Sequence, residues 1–598
     1  MAPGARRSGA AGGGHKHQHN WEVRGFSSPI VPAAPPSRRH TPGPRSPPLA
    51  PSPPNNKTKQ FFGPHGPLLL VPALPAVVLG LVAACNVEGC INLALLSPWP
   101  LPSASSFSTT TLAARLRSFS ASLPGFPRDG PPLYTHEAMI ACFGWFLLTL
   151  LLHLLLPGKR VQGPPLADGS GRRLEYKLNA GSVFGLLYGA ALLLSFGSDG
   201  ALDLAWAADN FLPLATASVI LSSGLAVVVY VASFLPPGEG GVEAIGEEGK
   251  KQEDDDAAPT PTNPTTNRRR RRLLSAHGAT GVPWYDFWMG RELNPRFTLS
   301  LIPVGTLTCP LLPQFVRNRL ASLRRGVFAP QTVDLKEFCE LYPGMIGWAL
   351  LNLAFAFAQS RDAANFAAET GLASTPGSVL NLGISNAMLL VNLFELWYVA
   401  DALVFNEQAI LTTMDITTDG FGFMLSFGDL CWVPFTFATQ ARFLAEDSAS
   451  LGGSLSEQAL SNWALAGVLC VQALGYLIFR GANGQKNAFR RLGPGHPSVA
   501  HLKSMPTRRG TRLLVSGWWG LARHINYLGD WLMGLAWCLP TGLRGLRAAV
   551  PFFYAAYFAS LLAHRERRDD AACLVKYGKE DWGKYCALVP WRIVPWVY

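Results

Sequence analysis

Glu137–Leu156 reads EAMIACFGWFLLTLLLHLLL, with a single charged residue at its start and one histidine near its end. A helix that crosses a bilayer needs about 20 mostly apolar residues, and this stretch supplies them. Comparable runs recur near 67–86, 178–197, 211–235, 343–361, 378–404, 421–440, 461–479, 528–546 and 549–564. Together they predict an all-α, polytopic integral membrane protein with about ten transmembrane helices. Pro540 and Pro551 bracket the turn between the last two runs, which suits a tight hairpin or a partly re-entrant pair. Only 15% of the 598 residues are charged and 48% are hydrophobic. A soluble domain carries about 25% charged residues, so this deficit fits a lipid-facing surface.

The net charge of +12 raises the question of nucleic acid. The basic residues lie mostly in short loops beside the apolar runs, the pattern of the positive-inside bias, so the bilayer is the expected partner and no nucleic acid is. The run Arg268–Arg272 reads as a solvated tether ahead of a contact with anionic headgroups. None of the ten cysteines forms a C-x-x-C pair, so no zinc ribbon, redox motif or structural disulfide is expected.

Residues 1–65 are rich in Pro, Gly, Arg, Ser and Ala, have no apolar periodicity and are predicted to be a disordered tail. His15, His17 and His19 alternate there, too loosely for a metal site, and no metal is expected elsewhere. Residues 66–235 form a first group of transmembrane helices. Residues 236–275 form a charged linker, with acids at 243–256 and Arg268–Arg272 at its end. Residues 276–485 form a second helix group and 486–598 a C-terminal region dense in polar residues.

Acids inside apolar spans are costly in lipid and are functional candidates by default. Glu395, Asp401, Asp429 and Asp530 fall in or at the edge of such spans, and Asp415, Asp419, Asp569 and Asp570 flank them. Basic residues complement them. Lys486 and Arg490 share a helical face, and Arg523-His524 and His564, Arg565, Arg567 and Arg568 follow. Guanidinium and ammonium groups of this kind suit the phosphates of a dinucleotide, and Trp518, Trp519, Tyr527, Tyr577, Trp582 and Tyr585 offer flat rings. Alone, the same composition also describes an interfacial belt. The sequence holds no G-x-G-x-x-G at a strand-to-helix junction, no P-loop, no G-x-S-x-G and no H-E-x-x-H, which disfavours a Rossmann domain and serine or zinc hydrolase chemistry.

The order of words in this region carries a resemblance. Leu513–Gly520 (LLVSGWWG) leads to Arg523–Asp530 (RHINYLGD), then Leu561–Asp569 (LLAHRERRD), Cys573–Gly578 (CLVKYG) and a final Val589–Arg592 (VPWR). With Gly290–Arg296 (GRELNPR) upstream, they resemble the sterol reductase family, which comprises Δ14- and Δ7-sterol reductases and the lamin B receptor membrane domain. Asp334–Phe338 (DLKEF) and Leu411–Met424 (LTTMDITTDGFGFM) look like the Δ14 branch, with Gly420 and Phe423 where the Δ7 branch carries His and Trp. The resemblance covers about residue 66 to Tyr598, with 236–275 as an insertion, and no Tudor-type module precedes it.

It implies NADPH-dependent reduction of the C14–C15 double bond of a Δ8,14-diene sterol, in the endoplasmic reticulum membrane, on a route to ergosterol or a related sterol. Carried over by motif, the NADPH-binding residues are Lys486, Arg490, Leu514, Trp519, Asn526, Tyr527, Arg565, Asp569, Cys573, Lys576 and Tyr577. An unactivated alkene must be protonated before it accepts hydride. The candidates for proton delivery are Asp569, Glu395 and Asp429, with Tyr398 as a relay. A Δ7-sterol reductase is the nearest alternative reading. A looser likeness to isoprenylcysteine-type methyltransferases, which would bind S-adenosylmethionine, and a non-enzymatic membrane scaffold are more distant ones.

Overall fold

The computed structural model describes residues 61–86, 89–90, 132–166, 168, 170–196, 202–237, 272–301, 306, 312–325, 329–372, 374–543 and 545–598, all within one compact unit, Leu49–Tyr598. Most of the predicted tail, including His15, His17 and His19, and most of the predicted linker lie outside these residues. Among the described residues, nine helices have 14 residues or more: α1 (Gly66–Ala83), α2 (His136–Leu155), α3 (Ala180–Phe196), α4 (Phe211–Ala232), α5 (Gly347–Thr370), α6 (Asn386–Ala400), α7 (Asn462–Leu492), α8 (Ile525–Cys538) and α9 (Ala549–Leu588). The chain is an all-α polytopic membrane protein. Seven described helical runs are long and apolar enough to cross a bilayer: α1, α2, α4, α7, Leu335–Thr370, Asn386–Phe405 and Gly545–Leu588.

The remaining expected spans are shorter, for local reasons. α3 has 17 residues. The stretch near 421–440 is broken into Phe423–Phe427, a π-turn at Gly428–Trp432 and Val433–Phe437, after which Thr439–Ser450 continues as a separate helix. Pro434 offers no N–H to a regular ladder there. α8 is 14 residues, about 21 Å, too short for a core of about 30 Å. It stops at Leu539-Pro540-Thr541 and at Gly542, whose φ of 75° ends the helix. α9 runs well past the expected limit of 564 and bends only at Gly578 (φ 80°, ψ 159°). The cluster His564–Tyr577 therefore rides on the same helix as an apolar span.

Small residues let the C-terminal helices touch. A side chain at Gly475 of α7 would meet the Gly529 carbonyl of α8 at 2.8 Å, and one at Gly529 would meet the Phe479 amide at 2.5 Å. Close backbone approach of this kind is how helices associate where lipid is as apolar as leucine. The earlier helices join the same body. Ser218 Oγ of α4 donates to the Leu430 carbonyl at 2.6 Å, and Ser426 Oγ returns a bond to the Ser222 carbonyl at 2.8 Å.

Where α2 ends and α3 begins, a buried polar knot satisfies the orphan groups of both termini. Lys177 Nζ donates to the His153 and Leu154 carbonyls at 2.8 and 3.2 Å and to Gln331 Oε1 at 2.8 Å, and Gln331 Nε2 returns to Leu154 at 2.7 Å. Asn179 Nδ2 donates to the His153 and Leu156 carbonyls, and its Oδ1 accepts from the Tyr342 hydroxyl at 2.6 Å and faces His153 Nδ1 at 3.0 Å. Glu407 Oε1 accepts the Ala180 amide at 2.9 Å and so caps α3.

Strands among the described residues form only two-stranded antiparallel ribbons, with no helix-linked parallel sheet and hence no Rossmann unit. The ribbon of Arg296–Leu299 with Gln331–Asp334 ties the GRELNPR word to the DLKEF word. Just before the first word Asp286 accepts from the Thr280 amide and hydroxyl and the Gly281 amide, and within it Asn294 donates to Asp334. Arg272 donates to the Leu235 carbonyl at 2.9 Å and to Glu292 at 2.5 Å, so the end of the Arg268–Arg272 run is anchored rather than solvated, and it fastens both edges of the 236–275 insertion. Gly290, at φ 83°, crosses Gly420-Phe421-Gly422 so tightly that a Cβ at 420 would lie 1.9 Å from the Gly290 carbonyl oxygen.

Candidate functional site

The C-terminal elements converge on one face. α7 starts at Ser461, whose side chain accepts from the Ala464 amide, and runs 31 residues to Gly493, which carries Lys486 and Arg490 beyond its apolar part. Gly517, at φ 64°, turns the chain so that Gln485 Oε1 accepts the Trp518 amide at 3.1 Å and Trp519 Nε1 reaches the Ala482 carbonyl at 2.8 Å. Lys486 Nζ stands 4.2 Å above the Trp519 ring. Trp519 and Leu514 are buried with Phe489 and Ile525, so they form the floor of the site rather than a free stacking surface. Arg490 is exposed.

α8 and α9 supply the opposite wall. The Tyr527 hydroxyl donates to Asp569 Oδ2 at 2.6 Å, and His524 Nδ1 lies 3.9 Å from the same oxygen, its ring stacked on Tyr527. Burial pushes the His524 imidazole down to about 4, with Lys486 and Arg523 adding to the effect and Asp569 opposing it, so the ring is neutral at neutral pH. Lys486 is electrostatically coupled to Arg490, Asp569, Cys573 and Lys576, which puts five of the predicted cofactor residues around one space. Tyr577 stacks on Trp582, Lys576 Nζ lies 5.3 Å from the Tyr577 ring centroid, and Trp582 Nε1 donates to Asp570. Buried polar atoms without a partner are rare in folded proteins. Here the unpartnered buried atoms include Arg523 Nε, His524 Nε2, Asn526 Oδ1 and Asp530 Oδ1, a concentration that suits a polar ligand.

The predicted proton donors do not form one cluster. Glu395, fully buried on α6, accepts from Trp348 Nε1 at 2.7 Å and from Asn352 Nδ2, while its Oε1 has no partner. Tyr398, one turn on, lies between Trp348 (6.0 Å) and Trp537 (5.2 Å), and Asp530 is close to its hydroxyl. Tyr554 stacks on Trp537 at 5.4 Å and is coupled to Tyr398, Asp530 and Glu395. Asp569 stands with the basic set. Asp429 sits elsewhere, coupled to Glu340, Asp415 and Lys336, and shares none of these partners with Glu395.

A third group links the two ends. Arg565 reaches Asp415 at 3.0 Å and Arg568 grips buried Asp419 with both nitrogens, at 3.0 and 2.5 Å. Fully buried Lys336 donates to the Ile416 and Asp419 carbonyls at 2.7 and 2.8 Å and thereby holds the segment that carries both acids. Sequence reasoning gave Arg565 a role, flagged Asp530, His524, Asp419 and Arg568 among the polar residues without assigning them one, and did not single out Tyr554 or Lys336. Asp530 did carry a signal, an acid at the mouth of an apolar run.

Residues 128–598 match the Ergosterol biosynthesis ERG4/ERG24 family. The chain belongs to this family. It is 38% identical to Delta(14)-sterol reductase erg24 of Schizosaccharomyces pombe over 539 residues, which is 90% of this chain and 97% of that protein. It is 39% identical to the Delta(14)-sterol reductase of Ascobolus immersus over 78% of this chain and 86% of that one. It is also 39% identical to mouse Delta(14)-sterol reductase TM7SF2, over 81% and 90% respectively. The stretch matched to the ERG4/ERG24 family contains every candidate site residue named above, whereas α1 lies before it.

Proposed function

We propose that the chain reduces the C14–C15 double bond of a Δ8,14-diene sterol with NADPH, as a multi-pass protein of the endoplasmic reticulum membrane on a route to ergosterol or a related sterol. The observation that carries this reading is the joining of two unlike environments by α8. At one end are cations around Asp569; at the other, the half-buried Tyr398 and two carboxyls lie among Trp348, Trp537 and Tyr554. The names of the similar proteins point to the same bond.

NADPH, when bound, supplies the hydride. Lys486, Arg490 and Lys576 would face its phosphates, which suits their charge and their place at the site's edge. Asn526 Oδ1 and His524 Nε2, each buried without a partner, would take up its polar groups, and Asp569 would hold the carboxamide. At the sterol end, an acid must protonate C15 and leave a tertiary cation at C14. Tyr398 and Glu395 would supply that proton, and the aromatic faces around them would stabilise the cation. Asp429, held in the Lys336 group, would serve the scaffold under Arg565.

The test is complementation of a Δ14-reductase-deficient yeast with sterol profiling. Restoration of Δ14-reduced sterols is expected. Persistent Δ8,14 sterols despite good expression would sink the assignment. In microsomes, Asp569→Ala and Glu395→Ala should each depress NADPH-driven Δ14 reduction, and full activity in both would remove these groups from the chemistry.

A further inference from the structure

One face of α8 runs between the two halves of the site. Tyr527, Asp530, Gly534 and Trp537 recur at the three- and four-residue intervals that place side chains on one side of a helix. Ten residues of rise carry this line about 15 Å from Tyr527 to Trp537. Its outer end touches Asp569, whose side chain is 28% exposed and accepts from the Tyr527 hydroxyl. Its inner end packs Trp537 against Tyr398, Trp348 and Tyr554. Gly534 makes room, because a Cβ there would meet Tyr554 at 3.0 Å and Phe558 at 3.1 Å.

Asp530 is the one acid on this face. The Tyr398 hydroxyl is one of its neighbours and Tyr527 is another; Arg565 is the nearby countercharge. Its Oδ1 is buried and has no partner. A carboxyl that serves only to fasten helices normally has both oxygens satisfied, since a buried acceptor left bare costs about 1–3 kcal/mol. Each turnover of an alkene reduction consumes one proton, and that proton must reach a membrane-buried centre from water.

We propose that Asp530 is a proton carrier that reprotonates Tyr398 and is itself recharged through Tyr527 and Asp569; this rests on the reductase reading above. Tyr398 breaks its O–H bond and forms a C–H bond at C15 of the sterol. In the same step the Asp530 carboxylic acid passes its proton to the tyrosine oxygen, so that no free phenolate forms. The cation at C14 is quenched by the hydride of NADPH. The Asp530 carboxylate then regains a proton from water by way of the Tyr527 hydroxyl and the Asp569 carboxyl. One hydride and one proton are consumed, and every side chain returns to its starting state.

The purified full-length protein in detergent or nanodiscs tests this with Asp530→Asn and Asp530→Glu. Asp530→Asn is expected to lower kcat about 100-fold or more, the scale of a general acid–base contribution. NADPH affinity by calorimetry and the melting temperature should stay near wild type, and Asp530→Glu should restore about a tenth or more of the rate. Wild-type kcat in Asp530→Asn overturns the relay alone. A fall in NADPH affinity or stability equal to the fall in rate also overturns it, since that is the mark of a structural role. A wild-type protein that neither binds NADPH nor reduces the sterol overturns the reductase reading and the relay with it. Should the neutral variant not accumulate, a proton inventory on wild type decides: a bowed dependence of kcat on deuterium fraction means two protons in flight, and a straight line overturns the coupled transfer.

Discussion

Two buried polar assemblies in this molecule look alike in composition and differ in completion. The knot between α2 and α3 and the site strung along α8 from His524 to Tyr398 each contain a tyrosine, an acid, an amide and a histidine. In the knot, Tyr342, Asn179, Lys177 and Gln331 are bonded to one another and to helix-end carbonyls. In the site joined by α8, Glu395 Oε1 and Asp530 Oδ1 toward Tyr398, and Asn526 Oδ1 and His524 Nε2 toward Asp569, are buried with nothing to bind. A fully satisfied network rigidifies a fold, whereas a partly satisfied one is costly unless something else repays it. The difference teaches that the open valences, rather than the presence of polar residues in the membrane, mark the working part.

The same deletion made in both places is the strongest way to break this contrast. Tyr398→Phe should reduce NADPH-driven sterol reduction about 10²–10⁴-fold, as loss of a general acid does, with little change in melting temperature. Tyr342→Phe removes a 2.6 Å bond to Asn179 and should cost about 1–2 kcal/mol of stability while leaving the rate per folded molecule intact. Thermal unfolding and turnover measured on the two purified variants check both halves. If Tyr342→Phe lost turnover and Tyr398→Phe lost stability, the distinction would fail.

Much of this architecture is legible in the sequence, because a lipid-facing helix must be apolar along about 20 residues. The ends of the helices are not, since they depend on partners far along the chain. α9 continues through Arg565 and Arg568 because Asp415 and Asp419, 150 and 149 residues earlier, neutralise them. Gly290 and Gly420 are readable as motif letters, yet their mutual approach to within a missing Cβ emerges only when the two words cross. The basic half of the site could be read from Lys486, Arg490 and Lys576, whose charges announce themselves. Asp530 could not be ranked, because its meaning comes from Tyr398 on another helix.

A cation offers a milder test of the same contrast. Lys486 has no carboxylate within salt-bridge distance among the described residues, whereas Arg480, on the same helix, is paired with Asp401 at 2.6 Å. Lys486→Met should weaken NADPH binding about 10- to 100-fold, the scale of one charge-assisted contact, with kcat at saturation little changed. Arg480→Met should leave NADPH affinity within about twofold and show its effect in stability instead, on the order of the 0.2–1 kcal/mol of a partly exposed pair. Calorimetric titration with NADPH separates the two, and equal loss of affinity in both would mean that Lys486 is no more than a structural cation.

The smallest effect expected is a slope in stability against pH that originates in the satisfied knot. Burial pushes the Glu407 carboxyl up to about 7, against the pull of the amides of Ala180, Asn179 and Gly181. An unfolded glutamate titrates near 4.3, so between that value and 7 the folded state binds more protons than the unfolded one. Stability from this group is therefore full below about 4.3 and is lost as the pH rises through 7. Glu407 is partly exposed, so the slope is shallow, a few degrees in melting temperature at most. Glu407→Gln should flatten it while keeping a cap on α3, because an amide oxygen still accepts the Ala180 N–H. The same substitution should leave the pH profile of kcat in place, since the groups that set that profile lie in the other assembly. A change in the rate profile with Glu407→Gln would show the two assemblies to be coupled, and the line between scaffold and centre would have to be redrawn across α3.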